Sequence, residues 1–153
     1  MNRIELLAPA GDLDRLKVAL IFGADAVYIG GKSLSLRSAA NNFTIEDIKE
    51  GVSFAHKLHK KVYVTCNMVL HEEDQNEVLK YLRELKEAEV DGIITSSMYL
   101  IKLNKEVGLE IHISTQLSTL NTLSVIHYKE LGASRVVLGR ELDIEKYCSS
   151  LNN

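Results

Sequence analysis

The chain alternates six times between short apolar runs typical of strands and longer segments with helical periodicity, and this alternation restricts the folds open to it. The strand candidates begin near Ile4, Ala26, Lys61, Gly92, Glu110 and Arg135. Repeated strand–helix units predict an α/β fold with a parallel sheet. A closed eight-unit barrel takes roughly 250 residues. Because this chain has 153 residues, we predict a parallel (βα) barrel of TIM type that is incomplete, with about six βα units.

The chain contains no Pro- or Ser-rich linker, so we predict a single domain over residues 1–153, the N-terminal part of a (βα)8-like barrel. Three segments share one plan, in which a helix stop and a tight turn lead into an apolar strand. They are 23–30, 89–95 and 132–139. Such apolar strands are typical of parallel sheets buried on both faces. The alternative is an open doubly wound sheet, but no GxGxxG motif follows the first strand, as its dinucleotide-binding form would require.

Several helix ends carry capping signals. Asp12 precedes apolar residues at helical spacing and is predicted to cap the first helix, which Gly23 would end. Thr44 and Asp47 stand at the start of the second helix with the spacing of a capping box. Asp143 is predicted to cap a final helix.

The composition is that of a globular chain and gives no sign of a membrane or nucleic-acid class. Apolar residues make up 46% of the chain and charged residues 25%. The formal net charge of −3 provides no overall basic field for nucleic acid. No apolar run approaches the roughly 18 residues of a membrane span, and the N-terminus lacks a signal-peptide pattern. We therefore expect a cytoplasmic protein without membrane contact.

The two cysteines, Cys66 and Cys148, lack the CxxC spacing of zinc and redox sites. Isolated cysteines are compatible with a reducing compartment. Cys66 lies in the apolar run 62–66, where we expect a small buried side chain. The residues themselves thus predict neither a metal site nor a disulfide.

Functional groups in a barrel of this type gather at the carboxyl ends of the strands. There the sequence places Asn67 and Gln116, whose amides both donate and accept hydrogen bonds, and the pair Arg140–Glu141, an anion partner beside a carboxylate acceptor. Gly30–Gly31 would let a ligand approach the backbone, and a plain turn explains it as well. Turn chemistry also explains the amides, and a surface ion pair explains Arg140–Glu141.

Two further polar residues remain open to two interpretations. Glu5 fits either a carboxylate inside the barrel or a solvated strand end, and His112 fits either a core histidine with a satisfied hydrogen bond or a residue that lines the barrel. No HExxH, GxSxG or Walker motif occurs. The residues alone therefore predict a polar site at the strand ends and assign no catalytic residue.

Seven segments of the chain, in order, resemble peptidase family U32. They are Glu5–Gly11 (ELLAPAG), Gly23–Gly31 (GADAVYIGG), Arg37, Asn42–Thr44, Val62–Asn67, Ser114–Gln116 and Arg135–Leu142. The resemblance extends from Ile4 to about Lys146. An ordered set of this kind is more specific than any one of its segments.

This resemblance implies function and site residues that the motifs alone do not. The family is labelled collagenase-like protease, but several bacterial members are RNA-modifying enzymes that hydroxylate a tRNA uridine or a ribosomal cytidine and require prephenate. Those members carry an iron–sulfur cluster on cysteines beyond the sixth strand; Cys66 and Cys148 do not match them, so no cofactor or metal site is assigned to this chain. The resemblance implies a substrate-facing surface, with Arg140 as our hypothesis for a partner of a prephenate carboxylate or an RNA phosphate. Its members are Arg37, Asn67, Gln116, Arg140 and Glu141.

Three functions follow as hypotheses. The first is the N-terminal barrel portion of a protein related to tRNA uridine hydroxylation, inactive alone, with tRNA or rRNA as its partner. The second is a collagenase-like peptidase with a peptide substrate, as the family label states. The third is a non-catalytic truncated or split-gene subunit that acts through a partner. An incomplete barrel has exposed strand edges, so self-association or pairing with a complementing C-terminal partner is expected.

Overall fold

The computed structural model describes residues 4–31, 43–67 and 70–143. In these ranges, six strands alternate with five α-helices. The strands are β1 (Leu7–Pro9), β2 (Ala26–Gly30), β3 (Lys61–Thr65), β4 (Gly92–Thr95), β5 (Ile111–Ile113) and β6 (Arg135–Val136). The helices are α1 (Leu13–Ile21), α2 (Ile45–Lys57), α3 (Gln75–Glu87), α4 (Met98–Asn104) and α5 (Thr122–Glu130). Single 3-10 turns cover Glu72–Asp74 and Thr115–Leu117. Within the described ranges, no helix is both long and apolar enough to cross a bilayer.

The strands form one parallel sheet in the order in which they occur in the sequence, from β1 to β6. A doubly wound sheet reverses its strand order at a switch point, whereas a barrel sheet keeps adding strands in one direction. The observed order is therefore that of an incomplete barrel, as the sequence predicts, and the doubly wound alternative is wrong.

The two faces of the sheet bury different groups. The outer face packs its branched apolar residues against the helices and forms the main core, because alternate residues of a strand point to opposite faces. The inner face buries Ala26, Tyr63 and Ile94, with Leu7 packed against them. Representative core residues are Val27, Val62, Val64, Ile93 and Ile113 on the strands, and Leu16, Ile48, Leu82 and Leu100 on the helices.

The caps predicted for the first and second helices are confirmed. The Asp12 carboxylate accepts a hydrogen bond from the Arg15 amide at 2.8 Å at the start of α1. At the start of α2, the Asp47 amide donates to the Thr44 hydroxyl at 3.1 Å, and the Thr44 amide donates to the Asp47 carboxylate at 2.9 Å. Gly23 follows α1 with φ of +112°. The helix predicted after Asp143 lies outside the described residues.

Several strands are shorter than the sequence predicts. The first strand begins at Leu7 and not at Ile4. The Leu6 amide donates to the Asp25 carboxylate at 3.0 Å, so a side chain takes the place of a backbone partner there. The apolar pattern that begins at Lys61 predicts a third strand as far as Leu70, but the strand ends at Thr65. In each case the apolar sequence pattern extends beyond the residues that pair with the neighbouring strand. The pattern alone does not show where that pairing ends.

The outermost helices expose apolar side chains. On α1 and just beyond it, Val18, Ile21 and Phe22 are exposed, and on α5 Leu123 and Ile126 are exposed. No residue of α5 is buried. A cavity of about 380 Å3 lies between α5 and β6 and is lined largely by apolar side chains. A closed barrel would cover these surfaces with further βα units.

Candidate functional site

Three neighbouring strands end in polar residues at the same edge of the sheet. Asn67 follows β3, Ser96 follows β4, and Ser114 directly follows β5. Because carboxyl ends of parallel strands meet on one side of a barrel, these side chains share one rim. We call the set Asn67, Ser96, Ser114 and Gln116 the amide rim.

Hydrogen bonds join the amide rim into a chain. The Asn67 side-chain amide donates to the Ser114 hydroxyl at 3.1 Å, and the Gln116 backbone amide donates to the same oxygen at 3.3 Å. The Ser96 hydroxyl donates to the Gln116 side-chain carbonyl at 3.1 Å. Ser114 is 5% exposed and is the link between the two amides. The structure thus brings Asn67 and Gln116, two of the predicted site residues, together.

Asn67 retains an unused acceptor. Its amide nitrogen is committed to Ser114, while its buried carbonyl oxygen makes no hydrogen bond. A buried polar atom without a partner costs about 1–3 kcal/mol. The Ser114 hydroxyl accepts two hydrogen bonds and keeps its own proton to donate. The amide rim therefore offers both an acceptor and a donor.

Threonine hydroxyls hold the strand ends below this rim. The Thr95 hydroxyl, fully buried, donates to the Cys66 carbonyl at 2.9 Å and accepts from the Ser97 amide at 3.1 Å. The Thr65 hydroxyl donates to the Ile29 carbonyl at 3.0 Å. The two bonds that these hydroxyls donate cross between neighbouring strands, so they fix the backbone that carries the rim side chains.

Gly31, at the end of β2, is required by packing. A Cβ atom at Gly31 would lie 1.7 Å from the Tyr81 hydroxyl oxygen. That hydroxyl is buried without a hydrogen-bond partner, and burial raises the pKa of Tyr81. The two interpretations of Gly30–Gly31 are close approach of a ligand to the backbone and a plain turn, and this contact favours neither. Gly31 instead leaves the space that the Tyr81 side chain occupies.

Arg140 and Glu141 stand apart from the amide rim. Both are exposed in the turn after β6. The described contacts contain no hydrogen bond from either residue to the rim. A Cβ at Gly139 would lie 2.7 Å from Leu120 Cδ2 and 2.9 Å from the Glu141 carboxylate, so this glycine leaves room for both side chains. The remaining predicted residue, Arg37, lies outside the described residues.

A second polar cluster lies on the inner face, toward the amino ends of the strands. Arg135 donates to both carboxylate oxygens of Glu5, and the Tyr63 hydroxyl donates to the same carboxylate at 3.2 Å. Burial raises the pKa of Glu5, but the Arg135 guanidinium outweighs burial and holds that pKa below its ordinary value. The Glu5 carboxylate therefore lies inside the barrel, which is the first of its two predicted interpretations.

His112 belongs to the same cluster. It is 1% exposed, its ring meets Tyr63 edge to face at 4.5 Å, and its Nε2 is 2.9 Å from the Glu110 carboxylate. Burial lowers the pKa of His112, against the opposing effect of Glu110. The prediction of a core histidine with a satisfied hydrogen bond is confirmed, and the same side chain also lies on the inner face.

The Ser134–Glu110–His112 grouping is not a hydrolytic triad. The Ser134 hydroxyl donates to Glu110 Oε1 at 3.0 Å, and His112 meets that same oxygen. A triad requires the imidazole between the serine and the carboxylate, where it can take the serine proton. Here the carboxylate stands between them, so the arrangement gives no activated nucleophile.

The described residues do not fit an iron–sulfur cluster. In residues 4–31, 43–67 and 70–143, no group of three or more His, Cys, Asp or Glu side chains could hold a metal ion. Cys66 is fully buried, and burial raises the pKa of its thiol to about 12. Thiolates, not thiols, bind metals. We therefore derive no chemical step from such a cluster in this chain.

The family model described as peptidase family U32 matches residues 11–149. The chain belongs to this family. Among curated proteins, the U32 chain is 50% identical over 139 residues to tRNA hydroxylation protein P1 of Bacillus subtilis, covering 90% of this chain and 33% of that protein. It is 43% identical to an uncharacterized protease of Methanocaldococcus jannaschii, covering 95% of this chain and 36% of the relative.

A more distant relative also carries an RNA-modification name. The U32 chain is 34% identical to the 23S rRNA 5-hydroxycytidine C2501 synthase of Escherichia coli, covering 95% of this chain and 22% of that protein. The chain thus spans about a third or less of the length of these curated relatives.

Solved structures support the fold. A structure titled as the U32 peptidase Mk0906 superposes with a TM-score of 0.73, covering 89% of this chain and 58% of that one. Its sequence identity is 14%, so the similarity concerns the fold. The strand–helix arrangement of this chain is therefore also found within a longer chain titled as a U32 peptidase.

Proposed function

We propose that the amide rim of this chain binds the RNA substrate of a tRNA-hydroxylation reaction, and that the chain is the N-terminal barrel portion of the protein that performs it. The observation that carries this proposal is the 50% identity to a protein named for tRNA hydroxylation. The aligned length includes 90% of the present chain. RNA hydroxylation is thus the activity named for several of its relatives, and binding is the part assigned to this chain.

The chemistry of the amide rim suits a nucleobase. Unstacked RNA bases are recognised by hydrogen bonds to their edges, and uracil and cytosine each present both donors and acceptors there. The Asn67 carbonyl oxygen lacks a donor, and the Ser114 hydroxyl proton is available to an acceptor. One pyrimidine edge would meet both needs.

Charged residues near the strand ends complete the proposal. Arg140, exposed after β6, would bind an RNA phosphate or a prephenate carboxylate, because a guanidinium pairs with such groups in a bidentate manner. Arg37 is assigned the same class of role from its sequence alone. Glu141 would accept from ribose hydroxyls. No catalytic residue is assigned.

In this proposal, the cofactors are bound by the full-length U32 hydroxylases and not by this chain. We assign prephenate and an iron–sulfur cluster to U32 hydroxylases as whole proteins, and no cluster ligand to the described residues. The 153-residue chain is accordingly expected to bind RNA without hydroxylating it. Exposed apolar residues on α1 and α5 support a further element of the proposal, pairing of these edges with a complementing C-terminal partner or a second copy.

Mass spectrometry of nucleosides from tRNA and rRNA tests the proposal directly. A strain that lacks the protein of which this chain is the N-terminal portion should lose one hydroxylated nucleoside, and return of that protein should restore it. Asn67→Ala and Gln116→Ala should not restore it fully, whereas Asn76→Ala, an exposed amide on α3, should. An unchanged nucleoside profile in the deletion strain would contradict the proposal.

A peptidase is the second candidate, favoured by the family name and by the protease name of the M. jannaschii relative. Its substrate would be a peptide in place of RNA. An unchanged RNA profile, together with cleavage of a collagen-derived peptide that is lost on substitution of the rim residues, would favour this candidate.

A further inference from the structure

We propose that the inner-face cluster is a latch that ties β6 to β1 across the barrel interior and thereby positions the strand ends that carry the amide rim. Its members are Glu5, Tyr63, Glu110, His112, Ser134 and Arg135. These are positioning residues, and their role does not depend on which substrate the rim binds.

The first step of the argument is the distance in the sheet that the latch spans. Arg135 begins β6, Glu5 lies just before β1, and 130 positions separate them. Among the described residues, β1 and β6 are the first and last strands of the sheet, and no backbone ladder joins them. The side chains of Arg135 and Glu5 therefore make the contact between β6 and the start of β1.

Tyr63 contacts both members of the Arg135–Glu5 ion pair. It is fully buried in β3, its hydroxyl donates to Glu5 at 3.2 Å, and the Arg135 guanidinium carbon lies 5.5 Å from its ring centre. A guanidinium over an aromatic face is attracted by the ring, and a hydrogen bond to an ionised carboxylate is stronger than a neutral one. One tyrosine thus contacts both ends of the ion pair.

The second half of the cluster anchors the start of β6 to β5. The Ser134 hydroxyl donates to the Glu110 carboxylate at 3.0 Å and lies 3.1 Å from the Ile111 carbonyl. Glu110 in turn holds His112, whose ring packs on Tyr63. β6 has two residues in its ladder, so these side-chain bonds supply much of what fixes its start.

The strands that carry the inner-face cluster continue toward their carboxyl ends, where the amide rim lies. Tyr63 precedes Asn67 by four residues, His112 precedes Gln116 by four, and Arg135 precedes Arg140 by five. These connections are short: β3 ends two residues before Asn67, and β5 ends three residues before Gln116, which lies in a 3-10 turn. A shift of β5 or β6 at the cluster would therefore move the rim and the Arg140 turn by a similar amount.

Hydrogen exchange of single amides tests the latch. The Val137 and Gly139 amides donate to the Ile113 and Thr119 carbonyls and report on β6. In Arg135→Met, both should exchange roughly tenfold faster, equivalent to about 1.4 kcal/mol, while amides of α2 change less than twofold. The control is Lys17→Met, which removes the exposed 2.7 Å ion pair between α1 and α2 and should leave β6 unchanged.

Two further variants keep the test decisive if Arg135→Met does not fold. Tyr63→Phe removes the hydroxyl donated to Glu5 and keeps the ring, so the β6 amides should exchange a few-fold faster. The exchanged pair Glu5→Arg with Arg135→Glu should recover part of the protection lost in either single variant. The Asn67 side-chain amide signal should shift in Tyr63→Phe and not in Lys17→Met. Equal acceleration across the whole chain, or unchanged β6 amides in Tyr63→Phe, would overturn the latch.

Discussion

Ser114 is the residue on which the geometry of the candidate site depends. Its hydroxyl accepts from the Asn67 side chain and from the Gln116 backbone, and it is almost fully buried. Position alone predicts that Asn67 and Gln116 lie at one edge of the sheet. It does not predict that a serine orients both, because that depends on the register between β3, β4 and β5.

Replacing Ser114 with alanine should loosen both amides. The Asn67 nitrogen would lose its acceptor in a partly buried place, so we expect a loss of about 1–3 kcal/mol in the free energy of unfolding. The side-chain amide signals of Asn67 and Gln116 should broaden or shift in an NMR spectrum. Ser53→Ala, an exposed serine on α2, is the control, and equal effects of the two substitutions would contradict the assigned role.

Gly31→Ala should destabilise the protein by overpacking. The added methyl group would meet the Tyr81 hydroxyl at 1.7 Å, and such insertions into a packed core typically cost about 1–3 kcal/mol. Removal of the hydroxyl in Gly31→Ala with Tyr81→Phe should recover part of this loss, although the ring carbon at 3.0 Å remains close. Gly11→Ala, which meets the end of the Arg15 side chain at 3.2 Å, is the control for urea denaturation. A Gly31→Ala variant as stable as the control would contradict this packing role.

At the scale of secondary-structure elements, the sequence predicts best those features that depend on residues close together in the chain, such as helix caps. The caps at Asp12 and Thr44 rest on bonds between residues three apart, and both are confirmed. The pairing of Glu5 with Arg135 in the inner-face cluster is not predictable from the sequence, because these residues meet only once the sheet has curved. One signal existed: Lys61, Tyr63 and Thr65 alternate with apolar residues in β3, which indicates a polar inner face.

The capping box should contribute measurably to α2. Thr44→Ala removes the acceptor for the Asp47 amide and should lower the free energy of unfolding by about 1 kcal/mol. Thr44→Ser keeps the hydroxyl and should cost much less. Circular dichroism during urea unfolding compares the two variants; equal losses would show that the hydroxyl is not the stabilising group.

At the scale of the whole molecule, the titratable groups of the inner-face cluster link stability to pH. The pKa values of Glu5 and Glu110 are held below their ordinary value of 4.5, by Arg135 and by His112 with Ser134 respectively, although burial alone would raise them. Burial lowers the pKa of His112 below 6.5. In each case the unfolded chain binds more protons, so stability rises with pH.

Stability should therefore fall in two overlapping stages as the solution is acidified. The His112 contribution declines as pH drops below about 6.5, the unfolded-state value, and the carboxylate contributions decline below about 4.5. Thermal melting between pH 8 and pH 3 measures both. His112→Gln should flatten the upper stage and Glu5→Gln the lower one. A melting temperature that rises on acidification would contradict the assigned pKa directions.

We propose that the amide rim, at the carboxyl ends of β3, β4 and β5, is the RNA-binding surface of this U32 chain. An NMR titration of the 153-residue chain with a uridine-containing RNA hairpin tests it most directly. We predict that the side-chain amide signals of Asn67 and Gln116 shift first, that Asn67→Ala weakens binding roughly tenfold, and that Asn76→Ala does not. Shifts confined to the inner-face cluster or to the outer helices, with the rim signals unmoved at saturation, would contradict the claim.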